Sequence, residues 1–327
     1  MKAVLVDEKT QRLYIGKWED PTIGKDDLLI RVKATALNRA DLMQKAGKYP
    51  PPPGESLILG LEMAGVVEKI GQNVTKWKEG DRVCALLPGG GYAEKVKIPD
   101  GMAIAIPDGL SFEEAAAIPE VFLTAYLNVF ILGGFKPGYT AMIHAAAGGV
   151  GTAAIQLIKQ VGRVIATTNS DAKGKVCRAL GADLVVNAST EDFSIKVEQF
   201  TEGKGVNVIL DPVAASYFEK NLKSLATDGR LIIISQLGGA IVPSVDLRQI
   251  MMRRWQIIGS TLRALPVSKK VELTGEFSGQ FMPMFKDGRL KPIIDSIYDI
   301  ENITEAHVRM ESNLNAGKII IRTNFKE

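Results

Sequence analysis

The residues with the clearest chemical purpose lie in the run Ile143-His144-Ala145-Ala146-Ala147-Gly148-Gly149-Val150-Gly151. Its spacing, A-x-x-G-x-x-G, suits a turn that admits a pyrophosphate. Gly148 lets backbone pass close to the anion, and Gly151 lets a following helix pack tightly on its strand. The N-terminus of that helix then turns free N–H groups and a partial positive charge toward the phosphates. Gly148, Gly149, Val150 and Gly151 are the expected pyrophosphate contacts, with Ala145 standing where the usual fingerprint has its first glycine. A second group follows at Thr168, Ser170 and Lys173. An acidic residue at the end of the second strand would accept hydrogen bonds from ribose hydroxyls; Thr168 holds that place and would not repel a 2′-phosphate. Ser170 is positioned to cap the next helix.

Chemistry of this kind needs a scaffold of parallel strands, and the flanking sequence supplies one. Short segments rich in Val and Ile run from Thr140 to His144, Arg163 to Thr168, Asp183 to Ala188, Val206 to Val213, Arg230 to Gln236 and Trp255 to Ser260. Helix-compatible stretches such as Thr152 to Val161, Ser170 to Leu180 and Ser216 to Ala226 separate them. Strict alternation of this sort implies an α/β fold with a Rossmann-type, doubly wound parallel sheet. Residues before about 120 have another texture. Strand-like pieces (Lys2 to Val6, Leu28 to Ala36, Gly65 to Ile70, Arg82 to Leu86, Ala93 to Ile98) alternate with Gly, Pro and Asp turns, which predicts an antiparallel, barrel-like β-domain. A helix near Val267 to Phe285 and strands at Ile293 to Tyr298 and Lys318 to Arg322 are expected to return to that first domain. The expected division is residues 1–122 with 263–327 for the β-domain and 123–262 for the nucleotide domain, closely joined around a cleft.

Composition narrows the function classes. The 327 residues, 46% hydrophobic, suffice for two cores. A net charge of +3, with lysines interleaved among acids, argues against nucleic acid as a partner. Ala115 to Phe135 is apolar over about the length of a membrane span, yet Pro119, Glu120, Thr124 and Asn128 interrupt it; it reads as a buried helix, and no membrane partner is expected. Cys84 and Cys177 are the only cysteines, which implies no disulfide framework and fits a reducing, cytoplasmic setting. The N-terminus reads as a first strand rather than a signal segment. His144 ends a buried strand, where a satisfied core histidine is expected, and His307 falls on a terminal helix.

Several co-linear motifs together resemble one family. They are Asn38-Arg39-Ala40-Asp41-Leu42 with Gly47-Lys48-Tyr49 and the prolines after it, Gly60-Leu61-Glu62, Gly80-Asp81-Arg82-Val83, Gly89-Gly90-Gly91-Tyr92-Ala93-Glu94, Ala116-Ala117-Ile118-Pro119 with Leu123-Thr124-Ala125, the turn Ala145 to Gly151, and Leu180-Gly181-Ala182. Over essentially its whole length the chain resembles the zinc-free quinone oxidoreductase branch of the medium-chain dehydrogenase/reductase superfamily. NRADLMQ, LLPGGG and AAAIPE are similar to the p53-inducible quinone oxidoreductase subgroup. The resemblance implies that the β-domain is GroES-like. Zinc-bearing relatives place a cysteine near position 38, a histidine just before Glu62 and four clustered cysteines elsewhere; Asn38 and Leu61 stand here instead, and two cysteines cannot build a four-thiolate site, so no metal is expected.

The same resemblance assigns roles. It makes NADPH the expected cofactor, with Ser170 and Lys173 on the 2′-phosphate, although Ala188 replaces a tyrosine that relatives often use and Asp171 brings a negative charge nearby. Thr124 is the expected nicotinamide contact, and Leu237, Gly238, Leu262 and Arg263 are expected to line the cofactor. Asn38 would donate its amide to a substrate oxygen, and Tyr49 would line the substrate site and donate from its phenol. Glu62 is expected to orient rather than act as a base, and Asp41 to cap a helix. The implied activity is NADPH-dependent reduction of a small quinone. Reduction of α,β-unsaturated carbonyls or enoyl-thioesters, and an NADPH-liganded RNA-binding or structural role of zeta-crystallin type, are alternatives. A homodimer or homotetramer is implied, with the strand Trp255 to Ser260 as an edge that could pair across it.

Overall fold

In a computed structural model that describes residues 1–325, the Val- and Ile-rich segments of the middle of the chain pair as one parallel sheet. From edge to edge its strands are Leu184–Asn187, Arg163–Thr168, Thr140–Ile143, Val206–Asp211, Leu225–Ile233 and Gln256–Gly259. All neighbours run parallel. The first strand in sequence thus sits centrally and the order reverses between it and Val206–Asp211, the place where open α/β sheets bind ligands. Near-continuous apolar runs are what a strand covered on both faces requires, and Met142, Ile143, Ile165, Ile209 and Leu231 are fully buried. This sheet belongs to a compact unit spanning Thr124–Leu262.

The other unit comprises Met1–Leu123 and the stretch from Arg263 onward. Its larger sheet runs in the order Ile294–Asp299, Lys318–Arg322, Asp27–Ala36, Glu62–Ile70, Arg82–Leu86 and Ile104–Ala105. The long strand Asp27–Ala36 pairs antiparallel with three partners, Lys318–Arg322, Glu62–Ile70 and Lys95–Pro99. Branching of this kind curls the sheet around a core that includes Leu28, Ile30, Met63, Val83 and Ile98. Pairing of Ile320 with Ala36 brings the late strand beside the residues that follow Ala36.

Two expectations need correcting, and two elements are new. Ala115 to Phe135 is no single helix: it divides into Phe112–Ala116, Pro119–Ala125 and a wider-wound turn, Tyr126–Leu132. Pro119 has no N–H to continue the first piece, but is accommodated as the opening residue of the second. The strand expected from Arg230 begins five residues earlier, at Leu225, so the preceding helix is only Phe218–Ser224. The hairpin partner Leu13–Lys17 and the helix Leu247–Arg253 were not anticipated, because both are largely exposed and carry little apolar periodicity.

Candidate active site

The glycine turn has the geometry its spacing suggests. Ala145 adopts φ 49°, the left-handed conformation usually left to glycine; holding it there costs an alanine about 1–2 kcal/mol. Gly148 then occupies the N-cap of the helix Gly149–Lys159 in extended conformation, with no side chain capping the helix. A Cβ on Gly151 would strike the backbone of Ala146, so only glycine lets the helix sit this close to the turn. The first N–H groups of the helix, at Gly149 and Val150, have no intrahelical acceptor. They face the carboxyl ends of the strands, and the cradle fits a pyrophosphate.

A buried polar network backs this turn. His144 Nε2 lies 2.7 Å from Asn221 Oδ1, and Nδ1 lies 2.7 Å from Thr167 Oγ1. Asn221 Nδ2 donates to Asp211 Oδ2 at 2.8 Å. Because that carboxylate can only accept, the Asn221 oxygen must face His144 and Nε2 must carry the proton, leaving Nδ1 to accept from Thr167. Burial pushes the His144 pKa below its usual value, in keeping with a neutral ring. The other Asp211 oxygen accepts from the N–H groups of Val213 and Ala214, at 2.7 and 3.0 Å. One network therefore ties the ends of three parallel strands to the loop after Asp211. His144 is a satisfied core histidine, as expected; Asp211 and Asn221 carried no recognisable signal in the sequence.

At the next strand end, Thr168 is buried and its hydroxyl donates to Ser170 O at 3.0 Å. Ser170 caps the helix Asp171–Ala179, accepting from Lys173 N at 3.4 Å, and Lys173 sits partly exposed in the first turn. The Asp171 carboxylate is engaged by Asn187 Nδ2 at 3.0 Å, which offsets part of its charge. Leu237 is exposed in the loop after Leu225–Ile233, while Gly238 bonds to Val213 O at 2.7 Å with no room for a side chain. Thr124 is buried near the end of Pro119–Ala125, its carbonyl accepting from Asn128 Nδ2 at 2.7 Å. Leu262 is buried at the end of this unit.

In the other unit the expected substrate-facing residues cluster around buried charge. Lys318 Nζ donates to Leu37 O at 2.7 Å, Asn38 Oδ1 at 2.6 Å and Glu62 Oε1 at 2.7 Å. Asn38 Nδ2 donates to Glu62 Oε1 at 2.9 Å and to Ala36 O at 3.3 Å. The amide orientation is fixed, since an ammonium cannot accept nor a carboxylate donate. Both amide hydrogens thus have acceptors within the protein, and Asn38, expected to offer one to a substrate oxygen, here braces Glu62. The second oxygen of Glu62 accepts from Glu120 N at 2.8 Å, in the first turn of Pro119–Ala125.

Next to this group, Asp41 accepts from the N–H of Asn38 at 2.7 Å and of Gly60 at 3.0 Å, so it caps the helix Arg39–Lys45 as expected. Burial raises its pKa to about 6 against these donors. Tyr92 Oη stands 3.3 Å from Asp41 and 3.3 Å from His307 Nε2, whose pKa burial depresses to about 3.

Tyr49 lies half-buried in the irregular stretch after that helix, and among the described residues no protein group hydrogen-bonds its hydroxyl. Burial raises its pKa while the charge of Arg263 pulls it down. Arg263, expected beside the cofactor, instead directs its guanidinium to Pro88 O, to Gln44 Oε1 and over the Tyr49 ring. The partners of its side chain all belong to the first unit.

Comparison with known proteins places the chain. The family model for the alcohol dehydrogenase GroES-like domain matches residues 24–108, and that for zinc-binding dehydrogenases matches residues 149–276. A synaptic vesicle membrane protein VAT-1 homolog of Danio rerio is 33% identical over 93% of this chain, which spans 65% of that relative's length. The quinone oxidoreductase of Homo sapiens is 30% identical, over 91% of this chain and 90% of its own. The acryloyl-coenzyme A reductase of Sulfurisphaera tokodaii is 29% identical, over 98% and 100%. A mycobacterial structure solved with NADPH superposes with a TM-score of 0.88 at 27% identity, covering 99% and 100%.

Zinc, named by one of these families, does not suit the residues here. The Asn38 oxygen and one Glu62 oxygen are bound to an ammonium, the other Glu62 oxygen to the Glu120 N–H, and Leu61 has no metal-ligating side chain to offer. Among the described residues no group of three or more His, Cys, Asp or Glu side chains is arranged to hold a metal ion. No helix among them is long and apolar enough to cross a membrane. With a Rossmann-type sheet and a GroES-like domain in one chain, this protein belongs to the quinone oxidoreductase-like branch of the medium-chain dehydrogenase/reductase superfamily.

Proposed function

We propose that the protein is an NADPH-dependent reductase of small quinones. The observation that carries this reading is the uncapped helix N-terminus behind Gly148, followed by a strand that ends on Thr168 with Ser170 and Lys173 beyond it. The helix N–H groups bind the pyrophosphate, and Lys173 with the Ser170 hydroxyl receives the 2′-phosphate. When bound, the nicotinamide supplies hydride. The chain's own residues position: Thr124 holds the nicotinamide edge, and the loop at Leu237 and Gly238 lies along the cofactor. Tyr49 donates from its phenol to the substrate oxygen on which negative charge grows. Asn38 and Lys318 keep Glu62 oriented, and Glu62 fixes the start of the helix that carries Thr124. Quinones suit such a site because they accept hydride without a strong Lewis acid.

The protein acts on a small molecule and works as a homodimer in the cytoplasm. Strand Gln256–Gly259 is a sheet edge, with Leu247, Met251 and Met252 exposed on the preceding helix, an edge that pairing across a dimer would cover. Cys84 and Cys177 are free and buried. A second reading, reduction of enones or enoyl-thioesters, is favoured by the similarity to an acryloyl-coenzyme A reductase. A turnover panel separates the two. With NADPH in excess, 1,2-naphthoquinone and 1,4-benzoquinone should be reduced faster than an alkenal or acryloyl thioester. Rapid turnover of the thioester with little quinone reduction would replace the first reading with the second.

A further inference from the structure

The segment between Lys45 and Leu57 has a mechanical problem. Four consecutive prolines, Pro50 to Pro53, supply no N–H, so the backbone beside Tyr49 has few donors with which to anchor itself. A residue at the other end of the sequence compensates. Arg263 Nε donates to Pro88 O at 2.9 Å, and Nη2 donates to the same carbonyl at 2.6 Å and to Gln44 Oε1 at 2.7 Å. Nη1 lies 3.5 Å from Tyr49 O, and the guanidinium is 5.1 Å from the centre of the Tyr49 ring. Gln44 passes the restraint on, with Nε2 donating to Leu57 O at 3.1 Å. The backbone of Arg263 is itself pinned, as Lys270 Nζ donates to its carbonyl at 2.7 Å.

The clamp is also electrostatic. Arg263 is 7% exposed, and among the described residues no carboxylate pairs with it. Its hydrogen bonds go to neutral oxygens and it lies over one aromatic ring, with the carboxylates of Asp41 and Glu55 acting on it only at longer range. A cation over that ring makes the phenol a stronger donor to an oxygen that is gaining negative charge. A lysine could supply the charge but not the planar fork that holds Pro88, Gln44 and the ring together.

We propose that Arg263 is the positioning residue of the substrate loop, holding the Tyr49 ring so that its phenol meets the reducible substrate's oxygen; this rests on the reading of Tyr49 given above. Two measurements test it. The first is hydrogen exchange of the amides of Ala46 to Tyr49 and Gly54 to Leu57, which needs no activity. Arg263→Gln should speed exchange there about tenfold and leave the strand Arg163–Thr168 unchanged, and Arg263→Lys should only partly restore protection. Unchanged exchange in Arg263→Gln would overturn the clamp.

The second is a double-mutant cycle in NADPH-dependent reduction of 1,2-naphthoquinone, with NADPH affinity titrated in parallel. Arg263→Gln should lower kcat/KM about tenfold without weakening NADPH, and should cost less than threefold in a Tyr49→Phe background. Independent, multiplying losses would show that Arg263 does not act through Tyr49. Parallel loss of NADPH affinity would return it to the cofactor. Should Tyr49→Phe alone match wild type, the substrate role of Tyr49 falls, while the exchange measurement still decides the clamp.

Discussion

In the first unit the buried carboxylate of Glu62 faces a buried ammonium, Lys318, 2.7 Å away. In the second, the buried carboxylate of Asp211 has no cation partner among the described residues; Asn221 and two backbone N–H groups satisfy it. Both carboxylates hold a loop or helix near a strand end, but they do it by different physics. An ion pair in the interior is costly to break from one side, because the remaining charge is stranded. A carboxylate held by dipoles loses its support in steps. Lys173 lies outside that network, partly exposed in the first turn of Asp171–Ala179.

The largest effect should come from breaking the ion pair. Lys318→Met leaves Glu62 charged and buried, and should destabilise the protein by about 3–5 kcal/mol in urea unfolding. Adding Glu62→Leu should recover most of that loss. A single-mutant loss below about 1 kcal/mol would mean the pair is not what holds this region. Asn221→Ala removes one donor from Asp211 and the acceptor of His144, and should cost roughly 1.5–3 kcal/mol by the same measurement. A loss as large as that of Lys318→Met would erase the distinction between the two networks.

Lys173→Ala sharpens the contrast from the outside. Unfolding stability should change by less than about 0.5 kcal/mol, while NADPH should bind roughly ten- to a hundredfold more weakly in a fluorescence titration and NADH almost as before. Equal losses for the two cofactors would place the contact elsewhere than the 2′-phosphate.

The smallest effect is a pH dependence. Asp41 has its pKa raised by burial, to about 6 in the fold, so the folded state binds the proton more tightly than the unfolded chain. Its ionisation costs stability as pH rises through that value, and the cost is relieved as pH falls toward the ordinary carboxylate range. From about pH 7.5 down to about pH 5.5 this group should add on the order of 1 kcal/mol. Asp41→Asn should remove the slope, and a wild-type slope that survives the substitution would assign it to another group.

How far the fold was legible follows from the same physics. Most of the parallel strands are legible to within a residue or two, because a strand buried on both faces must be a continuous apolar run, as at Arg163–Thr168; the exception is Leu225–Ile233, whose first half carries the exposed polar residues Thr227 and Asp228. Leu13–Lys17 was missed since only part of one face is covered, and Leu247–Arg253 because it buries no residue at all. Local geometry was legible where close backbone approach demands a residue type, as at Gly151 against Ala146. A side chain's partner was not legible where it lies far along the chain. Nothing near Asn38 announces that Lys318 will take its oxygen, and nothing near Arg263 announces Pro88 or Gln44. Lys318 did leave a trace, a single cation opening the apolar strand Lys318–Arg322, but its partners came only with the pairing of that strand to Asp27–Ala36.

The measurement that bears most directly on the proposed activity is the ratio of kcat/KM for NADPH over NADH in the reduction of 1,2-naphthoquinone by the wild-type protein. Robust quinone turnover and a ratio of at least about ten are expected, the value of one charge-assisted contact to the 2′-phosphate. A ratio near one or below, or no quinone reduction with either cofactor, would contradict the proposed activity.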